Sequence, residues 1–183
     1  MMSAPLEVSG TCTIPSEGAC DTATTWDVNF RFASGVTMSF RGLPISANVG
    51  EVTSKVRLWE EKYRRTCDHG TAFEGSEGWV HVDRDHVASE PAELVKEDAD
   101  AYSVKIPRST YHAQDFLEAV RSHRPAVSNI EDSFQSDVLC HLANIATRTG
   151  RRLTWDPREE RFVDDDGANR FLACREMRAP WKL

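Results

Sequence analysis

Apolar and polar residues alternate along the first third of the chain. Leu6, Val8 and Gly10 take turns with Glu7, Ser9 and Thr11, and the run closes at Pro15. The clearest stretch is Trp26-Asp27-Val28-Asn29-Phe30-Arg31-Phe32, with Trp26, Val28, Phe30 and Phe32 on one side and Asp27, Asn29 and Arg31 on the other. A period of two is that of a strand with one buried face. Beyond Ala33-Ser34-Gly35, Val36, Met38 and Phe40 alternate with Thr37, Ser39 and Arg41. Three-residue loops with a left-handed Gly commonly close hairpins, so an antiparallel hairpin with one buried face is expected here.

Between 44 and 70 the period is ambiguous. Val52, Val56, Trp59 and Tyr63 have the spacing of an amphipathic helix, while Val52, Ser54, Val56 and Leu58 also fit a strand. The mixed charges of Glu60, Glu61, Lys62, Arg64 and Arg65 suit a solvated helix face, and helix is the expectation. Strands resume at Thr71-Ala72-Phe73 and Trp79-Val80-His81-Val82, joined through Gly75-Ser76-Glu77-Gly78, and again at Tyr102, Val104 and Ile106. The acidic stretch 88–100 reads as a solvated connection.

The last third changes period. Ser109 and Thr110 are positioned to cap a helix whose Ala113, Phe116, Leu117 and Val120 fall at i, i+3, i+4 and i+7. Ser128 and Glu131 have capping-box spacing before a second helix with the stripe Phe134, Val138, Leu142 and Ile145, stopped at Gly150-Arg151-Arg152. Leu153-Thr154-Trp155 and Arg161-Phe162-Val163 flank a turn at Asp156-Pro157-Arg158-Glu159, and Asp164-Asp165-Asp166 caps a short helix with Ala168, Phe171 and Leu172. The expected class is α+β: an open, mainly antiparallel sheet with two or three helices packed on one face.

Composition narrows the range of functions. The 183 residues carry 22 basic and 29 acidic side chains, a formal charge of −7, and 40% are apolar, which separates the chain from disordered ones. Basic side chains are not clustered, so nucleic acid is not an expected partner. No apolar run approaches the roughly 20 residues of a membrane span, and Met1-Met2-Ser3-Ala4-Pro5-Leu6-Glu7 has no signal-peptide pattern. Neither a membrane partner nor a signal peptide is expected. Five cysteines, Cys12, Cys20, Cys67, Cys140 and Cys174, form no C-x-x-C pair and read as reduced, apolar fillers, which favours the cytoplasm. No linker or internal repeat divides the chain, so one domain is expected.

Candidate chemistry is sparse. Gly75-Ser76-Glu77-Gly78 lies between two strands, whereas a phosphate cradle needs amides at a helix start, and neither G-x-G-x-x-G nor G-x-x-x-x-G-K-[ST] occurs. Of the six histidines none forms H-E-x-x-H, and Cys67-Asp68-His69 would hold a metal only with distant help. Cys140, beside Leu139, reads as a buried inert thiol. His112 and Asp115, three apart on a helix, can couple as acid and carboxylate or serve as a surface pair. No catalytic, cofactor-binding or metal residue is assigned. One candidate pocket or interface face remains: Asp27, Asn29, Arg31, Thr37, Ser39 and Arg41, opposite the apolar side of the hairpin.

A longer ordered pattern runs through the chain. It includes His112, Asp115-Phe116-Leu117, Val120-Arg121-Ser122, Ile130-Glu131, Cys140-His141-Leu142, Asn144-Ile145-Ala146, Gly150-Arg151, Trp155-Asp156-Pro157, Ala168-Asn169 and the ending Met177-Arg178-Ala179-Pro180-Trp181-Lys182-Leu183. Thr24-Thr25-Trp26-Asp27-Val28 and Phe73-Glu74-Gly75-Ser76-Glu77-Gly78-Trp79-Val80 fit the same pattern. Over residues 5–183 the chain resembles the C-terminal domain of Gfo/Idh/MocA oxidoreductases. The resemblance implies an open, mainly antiparallel sheet attached in a full-length parent to a separate or missing Rossmann domain. It also implies a share in a sugar or polyol pocket and a homo-oligomer built through the sheet. NAD or NADP is implied for the parent and no cofactor for this chain. The family's Glu-Lys-Pro motif is absent, since Glu61-Lys62 is followed by Tyr63, so no catalytic residue carries over and the chain is expected to be inactive alone. The alternative is a non-catalytic carbohydrate-binding or protein-interaction module derived from that domain.

Overall fold

The strictest alternation in the sequence becomes an inner strand of a five-stranded sheet. In the computed structural model the described residues are 5–42, 58–64, 69–96, 98, 101–105, 109–173 and 179–180. In chain order the elements begin with β1 (Pro5–Thr13), β2 (Thr25–Phe32), β3 (Thr37–Gly42), a helical stretch α1 at 58–63, β4 (Thr71–Gly75), β5 (Gly78–Val82) and β6 (Val87–Glu90). They continue with α2 (His112–Ser122), α3 (Ile130–Thr149), β7 (Leu153–Asp156), β8 (Arg161–Phe162) and α4 (Asp166–Asn169). The chain divides into two compact units, Met1–Pro44 with Ala113–Leu183, and Ile45–His112. The class is α+β with open antiparallel sheets, as the periods predict.

In the first unit the strand order is β3-β2-β1-β7-β8, and every pairing is antiparallel. The hairpin closes where expected: Phe32 N–H donates to Val36 O and Gly35 N–H to Phe32 O, with Gly35 at φ 85°. Val8, Val28, Phe30, Phe32, Leu153, Trp155 and Phe162 form the buried side of the sheet. Against it α3 sets Leu142, Ala143, Ile145 and Ala146, and α4 adds Ala168. Gly42 is needed where β3 ends, because a Cβ there would lie 2.2 Å from the Trp26 indole. At β8, Asn169 of α4 accepts from Phe162 N–H and donates to Phe162 O, satisfying the backbone of a two-residue strand.

The helices depart from the sequence expectation in their caps and their faces. Gly150 stops α3 as predicted, at φ 64° with its N–H on Ala146 O. The N-cap, however, is Asn129, whose side chain accepts from Asp132 N–H, and not Ser128. Ser109 Oγ is enclosed without a hydrogen bond and does not cap α2. The stripe of α2 is solvent-facing: Phe116, Leu117 and Val120 are exposed and only Ala119 is buried. Phe134 is exposed because the first turns of α3 lie beyond the part packed on the sheet, and Cys140 is exposed as well, correcting the buried thiol. At the end of the chain Ala168 is buried, whereas Phe171 and Leu172, in a 3-10 turn, are exposed.

The second unit holds a three-stranded sheet, β4-β5-β6. Residues 58–63 are helical as expected, and Val52 and Val56 lie outside the described residues. The stretch read as a solvated connection contains β6 and a 3-10 turn at Ala92–Leu94. Asp83 makes this possible, because its Oδ1 accepts from the Asp85 and His86 amides and turns the chain back on β5. Tyr102 and Val104 are in no strand, and Ile106 lies outside the described residues.

Candidate functional site

The six residues singled out from the sequence lie on one face of the hairpin. Register explains why: Asp27 stands opposite Arg41, Asn29 opposite Ser39 and Arg31 opposite Thr37, while β1 brings Thr11, Ser9 and Glu7 alongside the same three residues of β2. The rows are cross-linked. Arg31 Nε donates to Glu7 Oε2 at 3.0 Å, Ser39 Oγ to Asn29 Oδ1 at 2.7 Å, and Arg41 Nε to Asp27 Oδ2 at 3.0 Å. The Arg31 hydrogen bond holds the Glu7 carboxyl below the ordinary carboxylate range, aided by the charges of Arg31 and Arg152, and Glu7 in turn raises Arg31. The face therefore displays a row of hydroxyl and amide groups between two ion pairs. Such groups can exchange hydrogen bonds with a polyhydroxylated ligand. The face carries no cysteine or histidine, so it offers no nucleophile–base pair.

The remaining candidates are occupied structurally or lie outside the described residues. Asp115 is committed to the loop after α2, its carboxylate accepting from Arg124 Nη2 at 2.8 Å and from Val127 N–H at 3.1 Å, and His112 is exposed. Cys67 and Asp68 lie outside the described residues. Gly75–Gly78 joins β4 to β5 and so gathers no amides at a helix start. The first turn of α3 carries Glu131 and Asp132, which disfavours an anion there.

Sequence reasoning missed an aromatic cluster in the second unit. Ala72, Glu74, Trp79 and His81 share a sheet face by register, and α1 lays Trp59 and Tyr63 on it. Tyr63 stacks on the fully buried His81 at 5.5 Å and meets Trp79 edge-on at 5.1 Å. Its hydroxyl donates to Glu74 Oε1, which also accepts from Lys62 Nζ at 2.6 Å. Burial, then the Glu74 bond, pushes the Tyr63 hydroxyl well above the ordinary phenol value. The Lys62 bond, then the Tyr63 bond, holds Glu74 below its ordinary value. A tyrosine so reluctant to ionise and a carboxylate so well satisfied hold α1 in place and are poorly suited to proton transfer. At the β4–β5 turn the surface dips into an open depression of about 360 Å³ lined by Phe73, Glu74, Glu77, Trp79 and Leu94, among others.

Comparison with known proteins adds the following. The family model described as the C-terminal alpha/beta domain of an oxidoreductase family matches residues 66–183, more than half of the chain. No curated protein matches it. A solved structure of a putative oxidoreductase from Thermotoga maritima is similar at a TM-score of 0.51 and 18% identity, over 81% of this chain and 40% of that one. An aldose-aldose oxidoreductase from Caulobacter crescentus, complexed with glycerol, is similar at 0.52 and 15% identity, over 83% of this chain and 42% of that one. At these identities the likeness concerns the fold, and the chain spans about two-fifths of the length of either structure.

Proposed function

Because this chain belongs to the Gfo/Idh/MocA oxidoreductase family through its C-terminal alpha/beta domain, we propose that it is the substrate-side part of an NAD(P)-dependent sugar or polyol oxidoreductase, inactive by itself. The observation that carries this reading is the family match, supported by the acidic first turn of α3, which is of the wrong charge for a pyrophosphate. Hydride transfer requires a dinucleotide held against its substrate, so the dinucleotide-binding part comes from outside this chain. Asp27, Asn29, Arg31, Thr37, Ser39 and Arg41 supply the polar wall. The Asn29–Ser39 bond opens to take a substrate hydroxyl, while Glu7 and Asp27 keep the two guanidiniums in position.

Two titrations test it. Calorimetry with NAD and NADP is expected to give no binding heat; stoichiometric, micromolar binding overturns the division of labour. Backbone NMR with myo-inositol, glucose and glycerol is expected to move the amides of Asn29, Arg31 and Ser39. Unmoved amides at high ligand concentration remove the polar wall from the substrate site.

A further inference from the structure

We propose that the polar strand face prefers a carbohydrate that carries a carboxylate, a sugar acid, and that Arg152 receives the carboxylate. This inference rests on the reading of that face as the substrate wall and names the class of substrate it takes. Arg152 directly precedes β7, whose buried Leu153 pairs with Val8 and whose Thr154 stands opposite Glu7. Alternation about Leu153 puts the exposed Arg152 on the same side of the sheet as Thr154. Carrying the antiparallel register one residue further sets it beside Ser9, which lies opposite Asn29, itself opposite Ser39. A line of hydroxyl and amide groups thus ends at a guanidinium. The influence of the Arg152 charge on the Glu7 carboxyl agrees with this position.

The charges of the face single out Arg152. Arg31 is bonded to Glu7 and Arg41 to Asp27, each at 3.0 Å, and Arg161 stands opposite Asp156 where β8 meets β7. Arg152, by contrast, makes no hydrogen bond or ion pair among the described residues. In a chain of formal charge −7, a cation left without a carboxylate of its own is the exception. A guanidinium presents parallel N–H donors that match the two oxygens of a carboxylate. With the carboxylate held there, the hydroxyls of the same ligand reach Ser9 and Asn29. A phosphate brings up to two negative charges. Its second charge would face Glu7, whose guanidinium partner is already engaged. The face therefore suits one negative charge joined to several hydroxyls.

Backbone NMR titration of the full chain at low ionic strength tests it, followed at the amides of Ser9, Asn29, Ser39 and Arg152. The probes are glucuronate, glucose and glucose 6-phosphate, which differ in the group at one end of the same ring, and acetate, which has the charge without the hydroxyls. Glucuronate is expected to reach half-saturation at about one-fifth the concentration of glucose, the gain that an exposed ion pair gives. About 0.5 M NaCl is expected to abolish the difference. Acetate and glucose 6-phosphate are each expected to bind more weakly than glucuronate. Arg152→Gln is expected to remove the preference and Arg152→Lys to retain part of it, while Arg158→Gln, in the turn beyond β7, leaves it intact. Equal affinity for glucuronate and glucose, or a preference that survives Arg152→Gln, overturns the sugar-acid assignment and leaves the polar wall standing. Acetate matching glucuronate, or glucose 6-phosphate exceeding it, overturns the assignment as well. Amides unmoved by any of the sugars remove the wall itself, and this inference with it.

Discussion

Helices α2 and α3 carry apolar stripes of similar spacing, yet only one is covered. In α3 the stripe crosses the buried side of the sheet, and Leu142, Ala143, Ile145 and Ala146 join Val8, Val28 and Phe162 in the core. In α2 the stripe faces solvent, and Ala119 alone is buried. The period of apolar residues therefore states which side chains share a face. It does not state whether the chain itself provides a partner for that face.

The largest effect that could break this comparison is a pair of equivalent truncations. Leu142, 1% exposed, belongs to the core cluster, so Leu142→Ala is expected to cost about 2–5 kcal/mol in urea denaturation, transfer and cavity terms together. Leu117→Ala, measured at concentrations where the chain is monomeric, is expected to cost less than about 0.5 kcal/mol. Comparable losses at the two positions would show that α2 is covered within the monomer, and the distinction between the helices would fail.

The caps sharpen the contrast at a smaller scale. Asn129 accepts the Asp132 amide at the start of α3, and Asn129→Ala is expected to lower stability by about 1 kcal/mol. Ser109 before α2 makes no such bond, and its enclosed hydroxyl is a cost without a return. Ser109→Ala is therefore expected to leave the melting temperature unchanged or raise it. A loss matching that of Asn129→Ala would mean that Ser109 caps α2 in solution.

What the sequence made legible follows from the same distinction. Local rules carried far: alternation from Trp26 to Phe32 gave strand, face and hairpin together, and Gly150 marked the end of α3 because only a left-handed residue fits there. The candidate strand face was legible for this reason, since a period of two fixes which residues stand side by side once the hairpin turn is known. Features that depend on distant packing were not. Val87-Ala88-Ser89-Glu90 is a short, mixed run whose strand character comes from the edge that β5 offers it. The Tyr63–Glu74 bond joins residues eleven apart through the docking of α1, and neither side chain announces the other. A visible signal was the Asp83 turn, a side chain able to bind amides two and three residues on and so reverse the chain.

Helix α1 lies between the two extremes, and the pH dependence of its attachment is the smallest expected effect. Tyr63 is buried against Trp79 and His81, whereas the Lys62–Glu74 ion pair beside it is about half exposed. Glu74 is held below its ordinary value near 4.5, chiefly by Lys62, so the unfolded chain takes up a proton there before the folded one does. Its contribution is therefore present above about pH 4.5 and disappears as the pH falls through the depressed folded value. Tyr63 behaves oppositely, because its value is raised: its contribution is intact below pH 10 and is lost as the pH climbs toward the raised folded value. Solvent screening of the half-exposed pair keeps the acid-side effect below about 1 kcal/mol. Indole fluorescence from Trp59 and Trp79, followed during acid titration, is expected to shift in that window. In Glu74→Gln, which keeps an acceptor for Tyr63 and removes the charge, the acid step should vanish while the alkaline one persists. An unchanged acid step in that variant would assign it to another group, and the Lys62–Glu74 ion pair would then contribute nothing measurable to holding α1.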